Sequence, residues 1–357
     1  MIPKCIVRLA CLALVVGGML RLELVAQQPA GAGAPLFKDV AAIKAKAAEF
    51  DRRIELLKQE LDTLKPRFEA FSTKIKEQTA ALKAVAAAPD TLSADIRARA
   101  DRIRAGDETA QTAALQDWQT LGKEGSVLAA RAAEFTPHQS VRQAVLRQAL
   151  ELGEPGYGVV GLCYDRLPVA DRVYLIETMA AAPTADTLLL FLLMAKDTDT
   201  TLRQALIRAS DSMGQAPLFV AALAKNADPA TVDSLIPEVA ALKGEDGLLL
   251  LYAVAAKGEP QQRLAVAKVA VARGEVGLVV LAGAFSSPDP VVRTEVVRAL
   301  NLIGGKVAQE VVGLALQDAN EVLRIAAQDA LAPPPATPLP PPAAAAPAAA
   351  TPAPAAP

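Results

Sequence analysis

Aromatic side chains are scarce in this chain, at 4% of 357 residues, and there is a single histidine, His138. Each shortage removes a class of chemistry. One histidine excludes a multi-histidine metal site and any relay between two histidines. With so few aromatics, the 52% of hydrophobic residues is mainly Ala, Leu and Val. That mixture favours helices with small residues at close contacts over strands rich in aromatic and β-branched side chains, so an all-α chain is expected. Cysteine is also rare. Cys5 and Cys11 lie in the first dozen residues and Cys163 stands alone beyond them. No internal disulfide is expected, and Cys163 in "VVGLCYDRL" reads as a small buried residue.

A large charge of either sign is missing too. The formal net charge is −2, with 20 basic and 17 acidic residues through Phe135 and 17 and 22 beyond it. An acidic C-terminal part gives no footprint for a polyanion, and no nucleic-acid partner is expected. There is no glycine loop followed by Lys-Ser/Thr to cradle phosphates, and no hydrolase elbow. Asp197 and Asp199 in "KDTDTT" echo the first ligands of a calcium loop but lack its later glycine and bidentate acid. Glu245 and Asp246 in "KGEDG" read as solvated acids of a turn. No catalytic, metal-ligating or cofactor-binding residue is assigned, and no cofactor is expected.

Long apolar runs are confined to the start. Lys4 and Arg8 precede the apolar stretch Leu9 to Leu20, and small residues come next in "LVAQQPAGAGA". This is the layout of a secretory signal peptide over 1–26, cut after Ala26 or a few residues later; twelve residues are too short to span a bilayer. Export is the expectation, with an uncleaved membrane anchor as the alternative. Residues 27–35 form a spacer.

The next hundred residues are helical in pattern. Apolar residues at Leu36, Val40, Ile43, Phe50, Ile54, Leu57, Leu61, Leu64, Phe68, Phe71, Ile75, Leu82 and Val85 step by threes and fours, a heptad seam interrupted only at Ala47 and Gln78. A kink or local break is expected at Pro66. "AAAPD" at 86–90 ends the helix, with Thr91 or Ser93 available to cap the next. A weaker helical segment through Trp118 to Phe135 is interrupted at Gly106, Gly122 and Gly125. Residues 36–135 are therefore read either as a helical hairpin or as an intermolecular coiled coil that would make a homodimer.

Beyond Thr136 the chain repeats. Aligned on Arg293 of "VVRTEVVRAL", related segments carry Arg142, Arg172, Arg203, Asp233, Arg263 and Arg324, so anchors recur every 30 or 31 residues. Eleven residues past the first six anchors stand Gly153, Pro183, Gly214, Gly244, Gly274 and Gly304. Glycine there suits the residue just past a helix end, where φ turns positive. Each is succeeded by a second apolar run, such as "TLLLFLLMA" or "GLLLLYAVAA", too short for a membrane span and better read as a buried inner helix. Each unit is thus helix A, tight turn, helix B, and only stacking of units covers both faces. The recurring Arg predicts a ladder in which each guanidinium reaches a carboxylate or helix-end carbonyl of a neighbour. Asp, Thr and Asn in the turns before the anchors are read as caps, and His138 as a residue of a cap region. From Ala332 to Pro357 the chain is Pro/Ala/Thr low complexity and is expected to be a disordered, partly polyproline tail.

"SPDPVVRTEVVRALNLIGG", with "QDANEVLRIAAQDAL" after it, resembles the HEAT repeats, in the short form also found in phycobilin-lyase-like proteins, over about residues 137–331. The resemblance implies an αα-solenoid of about seven units, acting as a scaffold that binds a protein or peptide along the concave surface of its B helices. Acidic repeats and an exported N-terminus separate this chain from relatives that act on DNA or bilins. A non-catalytic exported scaffold is the leading expectation. An enzyme or chromophore-handling protein using Cys163, or a self-assembling envelope protein, are the alternatives.

Overall fold

The computed structural model describes residues 37–332, except 198, 226–228 and 243. The expected signal peptide, the spacer and nearly all of the Pro/Ala-rich tail lie outside the described residues. Within them the chain forms seventeen α-helices and no strand, as the composition predicts.

Helix α1 (Val40–Ala86) is 47 residues long, about 70 Å at 1.5 Å per residue. Asp39 starts it by accepting the Ala42 N–H at 2.8 Å. Ile43, Phe50, Ile54, Leu61, Leu64, Phe71, Ile75 and Leu82 are buried, which is the heptad seam read from the sequence. The break expected at Pro66 does not occur, because the helix runs through it. Pro66 and Asp62, whose carbonyl loses its donor, both lie on the exposed side, where the freed group is open to solvent and is not buried unpaired. Ser93 caps α2 (Ala94–Ala105), its Oγ accepting the Ile96 N–H while Glu124 accepts from that hydroxyl at 2.8 Å. Then come α3 (Glu108–Ala114) and α4 (Gly122–Phe135). Gly106 and Gly122 fall at element boundaries, but Gly125 lies inside α4 and does not interrupt it.

Six helix pairs come after α4: α5 (Gln139–Glu151) with α6 (Glu154–Cys163), α7 (Val169–Ala181) with α8 (Thr187–Met194), α9 (Thr200–Ser212) with α10 (Ala216–Lys225), α11 (Pro229–Ala241) with α12 (Gly244–Lys257), α13 (Pro260–Ala272) with α14 (Leu278–Phe285), and α15 (Pro290–Ile303) with α16 (Gly305–Ala315). Helix α17 (Glu321–Leu331) ends the series. All seven anchor positions fall in the odd-numbered helices. The repeat glycines 153, 214, 244, 274 and 304 have φ between 59° and 78°, so the turn reading holds at every one of them.

From α5 to α17 each odd-numbered helix packs on the next odd-numbered one, and α8, α10, α12 and α14 pack in series as a second layer. The apolar runs build that inner layer: Leu189, Leu190, Phe191 and Met194 of α8 and Leu248 to Tyr252 of α12 are buried. Among the described residues no helix is long and apolar enough to cross a membrane.

The placement of α1 departs from the helical hairpin expected over 36–135. Instead of folding back on a helix of its own length, α1 packs against α4, α6, α8, α10, α12, α14 and α16. It runs antiparallel to the progression of the pairs, with residue 37 beside Glu275 and Phe71 beside Tyr157. The physical reason is area. Helices α2 and α3, of 12 and 7 residues, are too short to cover a 47-residue seam, while the even-numbered helices offer an apolar row of matching length.

Candidate functional site

A composite surface runs the length of the described residues where α1 meets the even-numbered helices. Its centre is apolar and aromatic. Phe50, fully buried, meets the Tyr252 ring edge-on at 5.5 Å, and Phe71 meets Tyr157 in the same way at 5.8 Å. Helix α6 comes close because it carries glycine there. A Cβ at Gly161 would stand 2.6 Å from Thr79 Oγ1, and one at Gly158 would stand 3.1 Å from Gln78 Cβ.

Charged residues flank this centre in complementary pairs. Arg53 donates to Glu245 at 3.0 Å and to Asp246 at 2.8 Å, and Lys46 donates to Glu245. Lys225 reaches Asp62 at 3.0 Å and Lys257 reaches Glu55 at 3.3 Å. Partial burial works against the Lys46 charge, but hydrogen bonds to Glu245 and Glu49 outweigh it and hold the ammonium above its usual range. Burial, with the neighbouring Asp51 carboxylate second, pushes the Tyr252 phenol up to about 12, so it stays a donor to Asp51, at 3.1 Å. Pairs this exposed each contribute about 0–1 kcal/mol, so the apolar centre holds α1 and the ion pairs set its register. Glu245 is exposed, as expected from sequence, and Asp246 half-buried, but both pair with α1, which was not expected. Their partners lie some 190 residues away, and no local pattern announces such a pairing.

Three of the six recurring arginines, Arg142, Arg172 and Arg293, reach a carboxylate of the next unit as the predicted ladder requires, and Arg203, Arg263 and Arg324 do not. Arg172 donates to Leu167 O at 3.0 Å and pairs with Asp197 of the next unit. Arg293 donates to Ser287 O at 2.8 Å and to Asp318 at 3.1 Å. Arg142 joins Thr136 O, at 2.8 Å, to the fully buried Asp171. Arg203 reaches Ser234 at 2.6 Å, and Arg324 returns to Asp318 O at 2.8 Å. Arg263 is held by Gly258 O within its own unit. The acids of the turns work as caps and clamps. Asp199 accepts the Thr201 and Leu202 N–H groups, and those bonds, led by Leu202, hold its carboxyl below the usual range. Asp197 accepts the Asp199 N–H at 3.0 Å while pairing with Arg172.

The remaining candidates are scattered. Cys163 is fully buried, and burial pushes its thiol up to about 12, far from thiolate chemistry at neutral pH. His138 sits at the start of α5, where its carbonyl accepts the Arg142 N–H. Trp118 is buried and donates its indole N–H to Gln148 at 2.7 Å, a packing role in which the ring faces no groove. Among the described residues no group of three or more His, Cys, Asp or Glu is placed to hold a metal ion. The arrangement presents a long composite surface, and the ladder's charges are spent between neighbouring units. Comparison with protein-family models, curated proteins and solved structures gives no match.

Proposed function

We propose that the chain is an exported, non-catalytic scaffold of the HEAT-like α-solenoid kind, which binds a protein or peptide on the surface of its helix pairs. The observation that carries this reading is the use of the recurring polar residues. Arg142, Arg172 and Arg293 each clamp an acid of the following unit, so the motif repeated most faithfully serves stacking. A stack of this kind is a rigid, extended display surface, and its specificity lies where the copies differ.

The face of the even-numbered helices, the usual seat of a partner in such scaffolds, is covered here by α1. The partner's seat therefore moves to the end of the array. Seven of the ten exposed large apolar side chains among the described residues lie on or next to the last three helices, including Val291, Leu302, Leu314, Val322 and Ile325. The last unit of a solenoid needs a polar or covered outer face, and this one is apolar. With the α1 seam buried against its own chain, dimerisation through a coiled coil loses its main surface.

The test is affinity capture from envelope extract with the full chain, then cross-linking mass spectrometry. A heterologous protein whose cross-links fall on α15–α17, and whose capture is lost in a Val322→Asp, Ile325→Asp double variant of unchanged helicity, is the expected result. Cross-links only between copies of the chain, or turnover in a substrate screen with nothing captured, would replace the reading by self-assembly or catalysis.

A further inference from the structure

The second layer of helices loosens at its last step. Helix α12 packs on α14, but α14 and α16 are only weakly joined, and between their first turns lies a cavity of about 400 Å³. Its walls are mostly apolar, formed by Leu278 of α14, Ile303 of α15, and Val307 and Ala308 of α16. The turn at Gly304 and Gly305 lines one side as bare backbone, and a Cβ at Gly305 would meet nothing. Helix α16 starts there without a side-chain cap, so the N–H groups of its first turn have no side-chain acceptor.

The remaining side is the approach to α1. Lys38 lines the cavity, and the Phe37 N–H donates at 3.2 Å to the carboxylate of Glu275, another lining residue. Consecutive Cα atoms stand about 3.8 Å apart, so residue 36 has to sit at the rim. The segment that arrives there is "AGAGAPL", residues 30–36. It ends in Leu36, the first apolar residue of the α1 seam, and is otherwise Gly, Ala and Pro. Extended, seven residues reach about 24 Å, more than the length of α16, about 16 Å.

We propose that this cavity is the docking site of the chain's own segment 30–36, with the Leu36 side chain on Leu278, Ile303 and Val307 and the preceding backbone over Gly304 and Gly305. Chemistry and space agree. A leucine matches apolar walls, and a Gly/Ala backbone can approach a glycine turn that bulkier side chains would hold off. Its carbonyls accept from the uncapped first turn of α16, while Pro35 brings no N–H in need of an acceptor. The docked segment is a clasp that ties the start of α1 to the last helix pair and closes the opening in the second layer. It lies downstream of the expected cut after Ala26, so the chain keeps it whether or not that cut is made. It does not depend on the scaffold reading.

Hydrogen exchange read by mass spectrometry on the full chain tests the clasp. Leu36→Asp should speed exchange in the first turn of α16 by at least about tenfold, the fold-change of a leucine lost from an apolar wall, while α7 to α9 exchange as in the parent. Leu36→Met, which conserves volume, should keep the parent's protection. Placement is read separately from a Leu36→Cys, Lys306→Cys pair in a background of Cys5→Ser and Cys11→Ser, since Lys306 is exposed at the rim and Cys163 is buried. A short bismaleimide should join the two cysteines within one chain, and this readout decides the matter if Leu36→Asp does not fold. The proposal falls if Leu36→Asp leaves α16 exchange unchanged, if exchange rises equally along the whole array, if the cysteine pair is not joined, or if the link joins two chains, which would give the cavity to a second copy.

Discussion

Helix α1 and the helix pairs behind it are two solutions to the same problem of covering an apolar stripe. The pairs carry their instructions locally. Within each 30-residue unit lies an anchor, in most units a positive-φ glycine, and before α9, α13, α15 and α17 a side-chain cap, and the stripe of one unit is covered by the next. Helix α1 has no such punctuation for 47 residues, and its seam is covered by residues up to about 200 positions away, as with Phe50 on Tyr252. A unit of local signals can be recognised by its repetition. A seam states only that something apolar must face it.

The comparison can be broken at several levels. The largest effect is expected from Phe50→Ala, which should cost about 3–5 kcal/mol in urea unfolding because a fully buried ring is lost from the α1 face. If α1 served a second chain, the unfolding midpoint would instead rise with protein concentration. Arg142→Met comes next. It strands Asp171, fully buried with its second oxygen already unpartnered, and should cost about 3 kcal/mol, more than Arg293→Met, whose partner Asp318 is one-fifth exposed. Equal costs for the two would mean that the ladder acts through charge alone and not through burial.

Smaller effects sharpen the role of punctuation. Gly244→Val and Gly274→Val place a β-branched residue at φ of 78° and 59°, and each should cost about 1–2 kcal/mol in the same assay. Arg53→Gln removes the exposed link to Glu245 and Asp246 and should cost under about 1 kcal/mol, a difference that disappears in high salt. The smallest concerns acid. The Asn320 N–H, with the Arg293 guanidinium second, holds the Asp318 carboxyl below the usual carboxylate range. Its stabilising contribution is complete above a pH of about 4 and is lost as pH falls through the depressed value. Asp318→Asn should therefore flatten the fall in melting temperature below that pH and leave the neutral value lower.

The repeat array is legible in the sequence because each of its signals acts over a few residues. Gly274 ends a helix whatever lies beyond it, and Asp199 caps α9 through amides two and three positions away. The ladder is legible in part, because stacking puts Arg142, Arg172 and Arg293 beside an acid of the following unit, while Arg263 and Arg324 stay within their own units. Elsewhere the local signal misleads. Pro66 has the chemistry to break α1, but its ring lies on the solvent side and the packed face holds the helix together. The adjacent acids of "KGEDG" look unpaired because Lys46 and Arg53 belong to an element nearly 200 residues earlier. Nothing in the sequence points to the cavity between α14 and α16, since Lys38, Glu275 and Lys306 are ordinary in their own segments and come to line one space only when the start of α1 meets both helices.

By itself, then, the sequence determined the helical class, the 30-residue period, the ends of most repeat helices and the stripe that α1 must bury, because caps, glycine turns and apolar spacing act within one or two turns of chain. Only the tertiary structure decided that α1 lies along the even-numbered helices, that Glu245 and Asp246 hold its charged flank, and that Lys38, Glu275 and Lys306 share a cavity. Those outcomes depend on which apolar surfaces match in length and shape across the whole molecule, and hydrophobic burial has no direction of its own from which a partner could be read in advance.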